Sequence, residues 1–287
     1  MANTGKPSLA EVVGLLEAAY DPRWAEPWDA VGLVCGDPQA PVGRVLFAMD
    51  PVAAVIDEAL DWGADLLVTH HPLLLKPVHG VAADTFKGRS VHRLITGGCA
   101  LFTAHTNADS ANPGVSDALA AALGLTVTGP ILPKPGHDPA AGLGLGRYGT
   151  LPETMSLRAF ADLVAAALPA TTAGVRVSGD LDAPVRLVAL CGGACDDRDV
   201  LAAVRAAGAD VYLTADLRHH PVSEAREAGP ATALVDVSHW ASEWPWLGAA
   251  AERLAADASA RLADRDTVET RVSTTVTDPW TLHRPTA

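Results

Sequence analysis

Lysine is nearly absent from this chain. Four lysines stand beside seventeen arginines, and 21 basic against 34 acidic side chains leave a net charge of −13. No basic cluster is present. A phosphate backbone needs a positive footprint, so nucleic acid is not the expected partner. Long apolar runs are missing too. None approaches the roughly 18 residues that span a bilayer, and no membrane association is expected. The opening stretch, Met1 to Pro7, lacks the apolar core of a secretion signal, so a cytoplasmic location is the expectation. Cysteine is limited to Cys35, Cys99, Cys191 and Cys195. They read as small buried hydrophobes of a chain kept reduced. Cys191 and Cys195 form a C-x3-C pair, but no second Cys/His pair at structural-zinc spacing accompanies it. There is no Gly-x-Ser-x-Gly elbow and no catalytic-cysteine context, which leaves a serine or cysteine nucleophile without a motif.

What is there is ample apolar material, 49% of 287 residues, enough for one large domain or two small ones. Ser8-Leu9-Ala10-Glu11 is a capping box, and Val12, Leu15, Leu16 and Ala19 mark one helix face up to Tyr20. Arg44 to Met49 reads as a strand. A helix follows from Pro51, placed at its first position, to Trp62, with Gly63 as left-handed stop. Asp65 to Thr69 is the next strand. This βαβ pattern predicts a parallel sheet covered by helices. Cys99 to Ala104 is another apolar strand. Pro- and Gly-rich residues 128–146 read as a linker or exposed loop. A second run follows, with strands at 175–177, 187–191, 211–214 and 233–237, a long helix from His239 to about Leu262, and a strand over 268–277. The expected fold class is α/β, as two similar half-domains: residues 1–127 carry His70, His71 and Asp109, and residues 128–287 carry His239 and Glu243. Gly144-Leu145-Gly146-Arg147-Tyr148-Gly149 matches G-x-G-x-x-G without the strand-to-helix context of a dinucleotide site. It reads as a turn and a strand start.

Three stretches concentrate the chemistry: Thr69-His70-His71-Pro72, His105-Thr106-Asn107-Ala108-Asp109 and His239-Trp240-Ala241-Ser242-Glu243. Each lies at a predicted strand exit, the edge where open α/β sheets bind ligands. His70, His71, Asp109, His239 and Glu243 are of the donor types that hold zinc, iron, manganese or nickel. Adjacent residues on extended chain point opposite ways, so His70 and His71 suit two neighbouring ions, or one ion at a kinked strand end. His239 and Glu243, four apart, share one helix face. Asp109 or Glu243 could bridge two ions. His105 is expected to orient a ligand or substrate. Asp216, His219 and His220 follow another strand and could bind or protonate a substrate. Each fragment alone also fits a plain structural role: a strand end, a solvated helix face, a surface loop.

Together these stretches resemble a known family, the dinuclear-metal, hexamer-forming proteins labelled "GTP cyclohydrolase 1 type 2 homologs", also called NIF-three-like. The matching motifs are Trp28-Asp29-Ala30-Val31-Gly32-Leu33, Thr69 to Pro72, His105 to Asp109, Gly144 to Arg147, Cys191 to Ala194, Thr214 to His220 and His239 to Glu243. Ala30 and Ala215 stand where the family usually has Asn and Gly, and Cys195-Asp196 replaces a more usual Gly-Ser. The short span from Asp109 to His239 leaves out the extra domain of longer members. The resemblance implies two divalent metal ions per subunit on His70, His71, Asp109, His239 and Glu243, set between the two half-domains, and a homohexamer.

The expected function is a metal-dependent hydrolase acting on a small molecule or nucleotide. Two ions about 3.5–4 Å apart generate hydroxide and polarise a C=N, carbonyl or phosphoryl group. His105 or His220 is expected to transfer protons. The alternatives are a metal-dependent phosphoesterase and a non-enzymatic metal-binding scaffold or regulator.

Overall fold

A computed structural model of the chain describes residues 5–229 and 232–284. It is a mixed α/β structure in two compact units. The first runs through Ala108 and resumes over Leu247–Thr277, and the second takes Asp109–Trp246 and the chain from Asp278. Among the described residues, no helix is long and apolar enough to cross a membrane.

In the first unit, α1 (Leu9–Ala19) opens on the predicted capping box. The Glu11 amide donates to Ser8 Oγ, and Ser8 N–H donates to Glu11 Oε2 at 2.7 Å. Its apolar face, Leu9, Val12, Leu15, Leu16 and Ala19, is buried. Strands β1 (Gly32–Cys35) and β2 (Arg44–Ala48) follow, then α2 (Ala53–Trp62), β3 (Leu66–Thr69), α3 (Phe86–Thr96), β4 (Ala100–Thr103) and α4 (Thr106–Ser110). The sheet order is β1-β4-β3-β2, with β2, β3 and β4 parallel and β1 antiparallel. Every residue of β3 and β4 is buried, which is why both read as unbroken apolar runs. One detail differs from the sequence reading: α2 starts at Ala53, with Val52 as its extended N-cap, so Pro51 precedes the helix. The chain stays extended past Asp50, whose carboxylate is engaged by His71 and Thr277. Gly63 does take the left-handed cap, at φ 71°.

The second unit holds α5 (Val115–Ala122), β5 (Thr126–Gly129), β6 (Leu132–Pro133), β7 (Gly144–Leu145), β8 (Arg147–Ser156) and α6 (Leu157–Ala167). Next come β9 (Arg176–Ser178), β10 (Pro184–Ala194), α7 (Arg198–Ala206), β11 (Val211–Ala215), α8 (His219–Ala228) and β12 (Ala233–Val237). The six-stranded sheet has the order β5-β8-β10-β11-β12-β9, parallel across β10, β11 and β12. Residues 128–146 are not a plain linker: β5 ends there, and β6 pairs with β7. The glycines before Arg147 let the backbone wrap its guanidinium. Arg147 is 1% exposed, and its guanidinium donates to the carbonyls of Gly144 and Gly146 and to both oxygens of Asp117. The glycine pattern there serves a buried ion pair.

The expected long helix from His239 is two helices. α9 (His239–Glu243) ends at Trp244, and α10 (Pro245–Arg261) restarts on Pro245, whose missing N–H is harmless only in a first turn. The returning chain adds β13 (Glu269–Val272), parallel to β2, as the fifth strand of the first sheet. It is shorter than the 268–277 expected.

Candidate metal centre

Strand register builds the first group of donors. Ala48, Thr69 and Thr103 are level across β2, β3 and β4. Asp50, His71 and His105 each lie two residues further on. His71 N–H donates to Met49 O at 2.9 Å, so the β2–β3 pairing runs past the strand ends. His70 is fully buried, and its Nδ1 lies 2.9 Å from Ala104 O. A carbonyl can only accept, so Nδ1 carries the proton and Nε2 keeps its lone pair. His71 Nδ1 is bonded to Asp50 Oδ1 at 2.7 Å, and His105 Nδ1 to Asp29 Oδ1 at 2.8 Å. The donor atoms of His70, His71 and His105 lie within 4.8 Å of one another.

Asp29 is itself held in place. Its Oδ2 accepts from the Thr106 amide at 3.0 Å and from Thr106 Oγ1. Burial opposes its charge, but the bonds from His105 and Thr106 outweigh it and hold its carboxyl well below the usual range. Trp28, 60% exposed, sets its ring 6.0 Å from that of His105.

The second unit carries the other group. β12 delivers Ser238, whose Oγ accepts from the Ala241 amide and caps α9. One turn of α9 then places His239 Nε2 3.2 Å from Glu243 Oε1. His239 Nδ1 is bonded to Asp216 Oδ2 at 2.7 Å. Burial works against the charged ring, but Glu243 and Asp216 prevail and raise His239 to about 11. The bond from His239 in turn keeps Asp216 below the usual carboxylate range. Asp216 pays in backbone strain: at φ 53° it is the non-glycine residue with positive φ among those described. Asp109, in α4, offers a carboxylate oxygen within 4.8 Å of one on Glu243.

The last residues of β10 back this group. A Cβ on Gly193 would fall 2.2 Å from Glu243 Oε1, and its φ is 72°. Only glycine fits there. Gly193 N–H donates to Ser242 Oγ at 2.9 Å, and Thr214 Oγ1 donates to Gly193 O at 2.9 Å. Cys191, within β10, and Cys195, just after it, are buried free thiols. Hydrogen bonding to Cys195 and complete burial push the Cys191 thiol far above its ordinary range, so it offers no thiolate at neutral pH. His219 and His220 are exposed on the first turn of α8, a helix the sequence reading did not anticipate. Among the described residues neither belongs to a group of possible metal donors.

These groups fit a divalent cation. All four imidazoles are tethered at Nδ1, once by a carbonyl and three times by a carboxylate, the arrangement that orients histidine ligands. The sequence reading gave no role to Asp29 or Asp50. The signal for Asp50 lies in register: an acid two residues beyond a strand end, level with a histidine on the parallel neighbour.

Comparison with known proteins gives the family. The family model Duf34/NIF3 (NGG1p interacting factor 3) matches residues 7–279. A Streptomyces coelicolor protein named "GTP cyclohydrolase 1 type 2 homolog" is 53% identical over 279 residues, covering 96% of this chain and 95% of the relative. A Mycobacterium leprae protein of the same name is 40% identical over an alignment of 377 positions, covering 96% of this chain. The crystal structure of a Bacillus cereus protein related to NIF3 superposes with a TM-score of 0.84 at 26% identity, covering 96% of this chain and 99% of the other. With its tethered histidines and its match over nearly the whole length, the chain belongs to the Duf34/NIF3 family.

Proposed function

We propose that the chain is a metal-dependent hydrolase that holds two divalent ions, zinc, iron, manganese or nickel, on His70, His71, Asp109, His239 and Glu243. The observation that carries this reading is the tethering of every donor histidine at Nδ1. A histidine that only fills space needs no acceptor fixed behind its Nδ1, whereas a ligand is held by a carboxylate or a carbonyl there, which fixes the tautomer and raises basicity. The two donor groups also sit beside the points where the chain passes between units. Asp109 is the first residue of the second unit, and Glu243 lies four residues before the return at Leu247. Asp109 and Glu243 would be the carboxylates of the donor set.

Bound ions supply a Lewis acid and a water of lowered pKa. His105, backed by ionised Asp29, presents Nε2 to take or give a proton at the reacting atom. His220, on the exposed first turn of α8, is the second proposed proton carrier. Trp28 beside His105 gives an incoming planar ring a surface to stack on. The names of the relatives make a purine nucleotide the first substrate to try, and the resemblance in motifs favours a homohexamer. The test is metal analysis after reconstitution, then turnover of GTP and of phosphodiesters by wild type and Glu243→Gln. Failure to take up metal overturns the centre. Metal uptake without turnover overturns the hydrolase and leaves a metal-binding scaffold.

A further inference from the structure

A cavity of about 470 Å³ opens in the second unit between the edge strand β9, β12 and α8. It uses none of the metal donors. Arginines reach it from three elements: Arg176 from β9, Arg218 from the turn before α8, and Arg226 from α8. Three guanidiniums around one cavity stand out in a chain of net charge −13. Its one lining carboxylate, Asp236, is already engaged. Oδ1 accepts from the Leu217 amide at 2.8 Å, and Oδ2 accepts from Arg176 Nε at 2.7 Å. Asp236 therefore aims Arg176 rather than repelling an anion. Arg218 is held by Asp196, through Nε at 2.6 Å and Nη2 at 2.7 Å, and Arg226 Nη1 donates to Ser178 Oγ at 3.3 Å. Each guanidinium is thus fixed by some of its five N–H groups and keeps others for a ligand. Val177, Leu217, Val222 and Leu234 supply apolar wall.

We propose that this cavity binds a small organic monophosphate, its phosphate on the three arginines and its body against the apolar wall. A phosphate monoester offers three terminal oxygens to three guanidinium forks, where a carboxylate offers two. Inorganic phosphate alone would leave the apolar wall and most of the volume to water. A neighbouring cavity of about 460 Å³ on the other side of Arg218 lacks this bias, because Asp196, Asp197 and Glu224 offset its arginines.

The test is calorimetric titration of GMP, ribose 5-phosphate and inorganic phosphate into the full chain after chelator has stripped any metal. GMP is expected to saturate one site per chain, with ribose 5-phosphate weaker and inorganic phosphate at least about tenfold weaker still. Arg226→Ala is expected to weaken GMP binding at least roughly tenfold while the melting temperature stays put. Val222→Trp, which fills the apolar side, is expected to block GMP and decides the matter if Arg226→Ala fails to fold. Absence of saturable GMP binding, binding of inorganic phosphate as tight as that of GMP, or GMP binding unchanged in the folded variants overturns the proposal.

Discussion

Glu243 Oε1 stands 3.2 Å from His239 Nε2 across one turn of α9. A single helix turn is enough to align these two donors. Replacing Glu243 with Gln keeps the shape and removes the charge. The apo protein is expected to melt within a few degrees of wild type, while metal content after reconstitution drops by at least one ion per chain. Elemental analysis alongside thermal melts measures both, and an unchanged ion count would sink the assignment of Glu243.

Asp216 tests the tether rather than the ligand. It touches the ring nitrogen of His239 that faces away from Glu243. Asn, like Asp, tolerates a left-handed backbone, so Asp216→Asn should fold normally. Metal affinity is expected to fall by roughly 10- to 100-fold. Competition with a chromogenic chelator reads this directly, and wild-type affinity in the variant would show that the tether does nothing.

Gly193→Ala combines two costs. The new Cβ meets Glu243 Oε1 at 2.2 Å, and the backbone stays at φ 72°. Urea unfolding is expected to show a loss of about 1–3 kcal/mol, with metal binding impaired as well because Glu243 must move.

Arg147→Met probes the buried pair with Asp117. Arg147 bonds both carboxylate oxygens, at 2.8 and 2.7 Å. Removing one partner strands the other, and a loss of about 3–5 kcal/mol is expected. Adding Asp117→Asn should recover part of it in the same denaturant titration.

A pH dependence follows from Glu11. Its bond from the Ser8 amide, helped by Arg265, lowers its pKa in the folded chain. A lowered carboxylate contributes stability above its unfolded pKa of about 4.3, and that contribution disappears as pH falls through the folded value. Glu11→Gln should therefore melt below wild type at pH 7, and the gap should close under acid. A gap independent of pH would contradict this.

How much of this was legible without coordinates depended on distance along the chain. His239 and Glu243 are one helical turn apart, and local geometry alone aligned them. The α/β class showed in the buried runs of β3 and β4. The tethers did not show, because Asp29 is 76 residues from His105, Asp50 is 21 from His71 and Asp216 is 23 from His239. Only strand register joins such pairs, and a single sequence does not print register. α8 went unread because it buries no residue fully and its apolar side is little more than Val222 and Ala225. Pro221 in its first turn was the available signal. Pro245 likewise marked the break between α9 and α10.

β13 has a consequence for biosynthesis. All six strands of the larger sheet lie between Thr126 and Val237, so every strand of that sheet has been made once the ribosome has passed codon 237. The smaller sheet, begun at Gly32, waits for Glu269–Val272 to cover β2. Until then the nascent chain carries Val45, Leu46 and Phe47 on an open edge, the kind of edge that recruits foreign strands. A nonsense mutation shortly before codon 269 would leave that edge open for good, and aggregation of the shortened product is the expected result.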